Sequence, residues 1–276
     1  MGAILITGAS GFIGSSLARE LAARRDVVCM SRRDPDLGLR WVRGDFAAFE
    51  DLRALDAIDV EAVVHLGAVT GGCLERDGIL VNVEGTRCLM RYLMDRGCRR
   101  FVLASSIAAV GMQSTAFRPL RLPIPDDHPC FDRDGYGLSK WLMEEVARYY
   151  QRQRPDLDVT CLRLAAIAPD DAMPPPMQPC PPQQWGLGAL TMMARSDAVC
   201  AFVLAVEAPY RPGERTLNAV APRAWSAVPV AEVLRGWWGN EVDLSHFDRP
   251  GHERDSVYAC DRIREELGFV AQVLVA

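Results

Sequence analysis

The chain has 276 residues, 49% apolar and 24% charged, with a formal net charge of −5. That length suits one large α/β domain with at most a small appendage. The acidic balance argues against nucleic acid or an anionic membrane as the main partner, because both select basic surfaces.

Residues 3–6 are an unbroken apolar run and, with Thr7, read as a first strand. The N-terminus therefore shows neither the basic segment nor the cleavage site of a secretory signal. No later apolar run reaches the roughly 18 residues that a bilayer requires, so a cytoplasmic location and no membrane partner are expected. Gly8-Ala9-Ser10-Gly11-Phe12-Ile13-Gly14 follows the strand, and residues 13–23 carry apolar side chains at helical spacing. Strand, glycine turn and helix are the context of a dinucleotide fingerprint. Gly8 permits the tight turn, Gly11 lets the backbone approach a pyrophosphate, and Gly14 allows close helix–strand packing. Ser10, Phe12 and Ile13 complete the turn at the helix N-terminus, where free N–H groups and the dipole favour phosphate.

A second strand, 27–31, ends at Ser31 with Arg32 and Arg33 behind it. NAD-selective sites usually place a carboxylate there for the ribose hydroxyl. A serine and two guanidinium groups suit a 2′-phosphate better, so NADP is favoured over NAD, solvated surface arginines being the alternative. After a third strand, 40–42, Asp45 and its neighbour Phe46 are expected on the cofactor; Asp45 could instead cap the next helix. Strands at 62–66, 100–104 and 159–164 alternate with helical patterns at 79–96 and 136–153. Short, two-sided apolar strands separated by helices predict right-handed βαβ units and an α/β fold with a doubly wound parallel Rossmann sheet.

Between 169 and 182 seven of fourteen residues are proline. That stretch reads as a long loop, either a plain connection or a substrate-side lid. A helix at 196–206 follows, and the rest reads as a small mixed appendage. The expected division is a dinucleotide-binding domain over 1–168 and a mostly substrate-binding region over 169–276, of which 190–220 packs back on the Rossmann core. The nine cysteines have no C-x-x-C spacing and read as reduced, mostly core residues. The four histidines, 65, 128, 246 and 252, show no metal-ligand spacing, so no metal is expected.

Of 31 basic residues only one, Lys140, is lysine. It stands four residues after Tyr136, which puts both side chains on one helical face. With six tyrosines in 276 residues, a randomly placed lysine would do so about once in 46 trials. A free tyrosine titrates near pH 10, and bringing it to neutrality requires about three units, roughly 4 kcal/mol. An ammonium beside it, with the positive ring of an oxidised nicotinamide, is the expected source. The phenolate could then take a hydroxyl proton while hydride leaves the carbon.

These motifs resemble the extended short-chain dehydrogenases/reductases of the NAD-dependent epimerase/dehydratase group. The likeness is carried by Gly8/Gly11/Gly14, Gly44-Asp45, His65-Leu66-Gly67-Ala68 and the run from Asn82 to Thr86. It continues through Ser105-Ser106, Tyr136/Lys140 and a closing segment, 261–269. The resemblance implies that Ser106 orients the reacting oxygen toward Tyr136, Ser105 taking its place if the strand register slips by one. It implies that Lys140 also holds the nicotinamide ribose, and that Leu66, Gly67 and Ala68 line the cofactor path. Ile107-Ala108 stands where the family's sugar dehydratases carry an acidic pair, which disfavours dehydration. Val110-Gly111-Met112 stands where many epimerases have Val-Tyr-Gly, and the segment after Leu164 is short. Together these departures favour a compact dehydrogenase or reductase of a sugar-like small molecule, with Arg118, Arg121, Arg163 and Arg195 as weak candidates for binding its carboxylate or phosphate. The rival readings are a nucleotide-sugar 4-epimerase with tightly bound NAD and a non-catalytic NADP sensor. A homodimer paired through the two long helices is expected from the family.

Overall fold

The computed structural model describes residues 2–111, 114, 116–181 and 186–275. Seven strands, all parallel to their neighbours, form one sheet: β1 (Ala3–Thr7), β2 (Val27–Ser31), β3 (Arg40–Arg43), β4 (Val60–His65), β5 (Arg100–Ser106), β6 (Asp158–Leu164) and β9 (Gly213–Ala219). Their order is β3-β2-β1-β4-β5-β6-β9, while β7 (Ile167–Ala168) and β8 (Met193–Ala194) pair only with each other. The helices are α1 (Gly14–Ala22), α2 (Phe49–Leu52), α3 (Glu75–Asp77), α4 (Gly85–Asp95), α5 (Gly135–Gln153), α6 (Gly186–Ala189), α7 (Arg195–Glu207), α8 (Val230–Trp238) and α9 (Asp261–Leu267).

Successive strand residues face opposite sides of the sheet. Ile4 and Ile6 enter one core with Leu17 and Leu21 of α1 and Phe202 of α7. Leu5 enters the other with Leu89 and Leu93 of α4 and Met143 of α5. Burial on both faces explains the unbroken apolar runs in the sequence. The chain leaves β1 to one side through β2 and β3 and returns to its other side as β4. That reversal opens a crevice at the carboxyl ends of β1 and β4, where doubly wound sheets bind ligands.

The expected helix over 79–96 is divided: a π-helical stretch, Gly78–Glu84, feeds α4. β5 extends through Ser106, two residues past its apolar run. Beyond the proline-rich segment, α7 lies on the first core and β9 is the sheet's seventh strand. Residues 169–181 hold no helix or strand, and Pro182, the last of the expected loop, lies outside the described residues. This loop rests on the C-terminal part of the chain: Trp225 Nε1 donates to the Pro174 carbonyl at 2.9 Å and Trp237 Nε1 to that of Cys180 at 2.7 Å. The same part returns to β5, where the Tyr258 hydroxyl donates to the Ile107 carbonyl at 3.2 Å. Among the described residues, no helix is long and apolar enough to cross a membrane.

Candidate active site

A cleft of about 1060 Å³ opens at the carboxyl ends of the central strands. The glycine turn forms its floor. Gly8 has φ +72°, and a Cβ there would stand 2.7 Å from the Gly67 nitrogen, so only glycine lets the turn pass beneath the loop after β4. A Cβ on Gly14 would meet the Gly8 carbonyl at 2.2 Å. The Gly11 amide closes the turn on that carbonyl at 2.9 Å. Ser10, Gly11 and Phe12 form an exposed lip, with Ile13 and Gly14 deeper in. No side chain caps α1, so its leading N–H groups are left for an anion. A narrow cradle that any Cβ would fill, under an uncapped helix, fits a dinucleotide pyrophosphate.

At one end of the cleft lie Ser31, Arg32 and Arg33. Ser31 Oγ donates to the Arg33 carbonyl at 2.6 Å and accepts from Trp41 Nε1 at 3.0 Å, so it braces the β2 end. Arg32 and Arg33 are exposed, and Arg43, at the end of β3, joins them on the cleft wall. None of these three guanidinium groups has a partner among the described residues. Arg43 was missed because the apolar run ends at Val42; its position directly before Gly44-Asp45 was the available signal. Asp45 caps the turn behind it, accepting from the Ala47 amide at 3.0 Å. Phe46 meets the His65 ring edge-on at 4.8 Å. A Cβ on Gly67 or Gly85 would come within 2.5 Å of Phe46, so both glycines make room for that ring.

His65, at the end of β4, is buried between Thr7 Oγ1 at 2.6 Å and Thr86 Oγ1 at 3.1 Å. Burial, aided by the charge of Lys140, pushes its pKa down to about 3, so it is a neutral strut between β1, β4 and α4. Leu66, Gly67 and Ala68 continue from it along the cleft wall. Asn82 bonds the Val69 backbone through both ends of its amide and donates to Ser139 Oγ at 2.8 Å. It is a structural clamp between the cleft wall and α5.

Ser106, Tyr136 and Lys140 meet at the other end. Asp134 caps α5, its Oδ1 accepting from the Tyr136 and Gly137 amides at 2.8 and 2.9 Å, and so fixes where Tyr136 begins the helix. Ser105 Oγ donates to Glu144 Oε1 at 2.6 Å and is taken up by the fold, whereas Ser106 Oγ accepts from the Ala108 amide at 3.1 Å and stands on the cleft wall with Tyr136. Lys140 is buried, 3% exposed; its Nζ donates to the Ala104 carbonyl at 2.7 Å and lies 5.8 Å from the Tyr136 ring centre. Desolvation pushes the Tyr136 phenol up to about 12, with the Ser106 hydroxyl opposing the rise. It pushes the Lys140 ammonium down to about 8. The expectation that the phenol is lowered is not met in the protein alone: desolvation raises it, and the group that opposes the rise is Ser106.

Arg163 is also corrected as a ligand candidate. It is 3% exposed and forms a two-pronged pair with Glu144, at 2.8 Å on each prong. Arg121 pairs with Asp127 on the surface, Arg118 reaches Glu241 at 2.7 Å, and Arg195 lies over the Phe12 ring while pairing with Asp170. Of the departures named above, Ile107 and Ala108 are buried, while Met112 lies outside the described residues.

With this geometry in view, comparison with known proteins is direct. A short-chain dehydrogenase/reductase superfamily protein of Agrobacterium tumefaciens with bound NAD superposes with a TM-score of 0.72, at 25% identity, over 99% of this chain and 93% of that one. The D-erythronate dehydrogenase of Cupriavidus necator is 32% identical over 186 residues, 60% of this chain and 55% of the relative. The N-acetyl-alpha-D-glucosaminyl-diphospho-ditrans,octacis-undecaprenol 4-epimerase of Escherichia coli O157:H7 is 28% identical over 171 residues, 59% and 48% respectively. The match thus spans about half the length of these curated relatives. The pattern of the NAD dependent epimerase/dehydratase family covers residues 4–169, from β1 past β7 and through every element of the cleft, and the chain belongs to that family.

Proposed function

We propose that the protein is an NAD(P)-dependent oxidoreductase acting on a secondary alcohol or carbonyl of a sugar-like or other small polar substrate, with Tyr136 as acid/base. The observation that carries this reading is one cleft lined by the glycine turn at one end and by Ser106, Tyr136 and Lys140 at the other, with Lys140 Nζ 5.8 Å from the Tyr136 ring centre. The nicotinamide cofactor, when bound, supplies or accepts the hydride. Gly8, Ser10, Gly11, Phe12, Ile13 and Gly14 hold its pyrophosphate, Asp45 and Phe46 its adenine end, and Leu66, Gly67 and Ala68 its path toward Tyr136. Arg32, Arg33 and Arg43, which have no partner among the described residues, favour NADP.

A half-buried phenol held protonated is a proton donor. Tyr136 gives its proton to a carbonyl oxygen as that oxygen gains negative charge, and Ser106 holds the oxygen in line. In the oxidative direction the same phenol must first lose its proton, and the buried ammonium of Lys140 then stabilises the phenolate. Lys140, tied to the Ala104 carbonyl on the cleft wall, would also hold the cofactor ribose. The substrate is placed by the loop from Pro169 and the C-terminal part that supports it, a short span that favours a small molecule. The dehydrogenase named for D-erythronate supports this choice; the 4-epimerase named above sustains a second reading, internal redox on tightly held NAD.

Tyr136→Phe is expected to lower turnover by roughly 10²–10⁴-fold, the usual worth of a positioned acid/base, with cofactor affinity unchanged. Full turnover in the variant would overturn the assignment. Reduced nicotinamide accumulating in step with product distinguishes the dehydrogenase from the epimerase, which shows no net change. The reading includes a cytoplasmic homodimer paired through α4 and α5, where Leu80, just ahead of α4, and Tyr149 on α5 are exposed apolar side chains. Light scattering at the monomer mass would remove that part.

A further inference from the structure

Away from the cleft, three side chains of the C-terminal part converge on one point. His246 Nε2 lies 2.9 Å, and His252 Nδ1 2.7 Å, from the same oxygen, Asp255 Oδ2. All three atoms lie within 4.8 Å of one another. Sequence spacing concealed them, because His246 sits on a short 3-10 turn, Ser245–Asp248, and the others on the loop behind it.

That loop is fixed by the Arg254 guanidinium and by one backbone bond. Arg254 donates to the Ser226 and Ala227 carbonyls at 2.7 and 2.9 Å, and the Val230 amide donates to the Glu253 carbonyl at 2.8 Å. Two of the three side chains nonetheless remain open to solvent, His252 43% and Asp255 34% exposed, while His246 is 18% exposed. A tetrahedral zinc ion with bonds of about 2.0–2.1 Å holds its ligand atoms about 3.4 Å apart. The cluster reaches that spacing by side-chain shifts on the order of 1 Å.

We propose that His246, His252 and Asp255 bind a divalent transition-metal ion of the zinc class, with water completing the coordination. Two imidazoles and a carboxylate suit such an ion, whereas calcium and magnesium take oxygen ligands. The bound ion ties the Ser245–Asp248 turn to the loop held by Arg254, and through Ser226 and Ala227 braces the segment on which the proline-rich loop rests. Nothing in this depends on the oxidoreductase reading.

One neighbour competes with the ion. Arg249 Nη2 lies 2.6 Å from His246 Nδ1. A guanidinium only donates, so Nδ1 accepts and the ring proton sits on Nε2, facing Asp255. Metal on Nε2 moves that proton to Nδ1 and displaces Arg249. Removing Arg249 must therefore tighten binding.

The test is titration of the full chain with Co²⁺ alone, followed by visible absorption, and with Zn²⁺, followed by thermal unfolding. One Co²⁺ per chain is expected, with the weak bands of nitrogen and oxygen ligands. His252→Ala and Asp255→Asn, both at solvent-accessible positions, should weaken it by more than the roughly 10–100-fold that loss of an outer partner brings. Arg249→Ala should strengthen it, and Zn²⁺ should raise the melting temperature of the parent chain but not of His252→Ala. Equal affinity in parent and His252→Ala, a sulfur-to-cobalt charge-transfer band, or no binding at all would each overturn the proposal.

Discussion

Lys140 and Glu144 stand one turn apart on α5, both buried, and the protein treats them in opposite ways. Glu144 is fully compensated: it accepts from Ser105 Oγ at 2.6 Å, from two nitrogens of Arg163 at 2.8 Å each, and from Arg148 at 3.4 Å. Lys140 has one neutral carbonyl, at 2.7 Å, and its ammonium is pushed down to about 8 by burial. The pair on the sheet side locks α5 to β5 and β6. The group on the cleft side keeps a poorly compensated charge where chemistry can use it, the pattern expected when stability and function make different demands on one helix.

The contrast can be broken most forcefully at Arg163. Arg163→Leu leaves the Glu144 carboxylate buried with weakened compensation, and a loss of about 3–5 kcal/mol is expected. The double variant Glu144→Leu/Arg163→Leu should recover most of that loss, because an apolar pair can replace a buried ion pair. Urea unfolding midpoints measure both. A double variant as unstable as the single one would mean that the network matters for shape and not for charge.

Lys140 should respond in the opposite direction. Its folded pKa of about 8 lies below the ordinary 10.5, so between those values the unfolded chain binds more protons and the parent protein gains stability as pH rises. At pH 7 both states are charged and the folded state bears the full desolvation penalty. Lys140→Met should therefore stabilise the protein at pH 7 by about 1–3 kcal/mol, reduced by the Ala104 carbonyl left without its donor. The advantage should fade as pH climbs from 8 to 10.5, and turnover should be lost throughout. Destabilisation at pH 7 would show that the carbonyl bond, not burial, governs this residue.

What the sequence disclosed follows the same division. The glycine turn, the Tyr136/Lys140 pair and the first six strands were legible because each is a local constraint: a conformation only glycine adopts, one turn of helix, or a strand apolar on both faces. β9 was not, because Gly213–Ala219 carries Glu214, Arg215, Thr216 and Asn218. Those polar groups become tolerable only against distant partners, as when Arg215 pairs with Asp158 and bonds Thr160. Arg163 was misjudged for the same reason: its partner Glu144 lies on another element. The convergence of His246, His252 and Asp255 likewise exists only once loops are folded.

Arg43 supplies the mildest test, and it separates charges kept for a ligand from charges kept for the fold. Arg148, Arg163 and Arg215 are paired with carboxylates. Arg43 is exposed on the cleft wall beside Arg32 and Arg33, with no partner among the described residues. A charge with nothing to hold contributes little to stability, so Arg43→Ala should leave unfolding unchanged. If it meets the 2′-phosphate, the affinity for NADP should fall by roughly 1.5–5-fold, within the range of an exposed charge pair, while affinity for NAD stays level. The difference should shrink as salt is raised, because exposed charges are screened within about 10 Å at 0.1 M. Equal losses for both cofactors would place Arg43 against the pyrophosphate or adenine instead, and the preference for NADP would then rest on Arg32 and Arg33 alone.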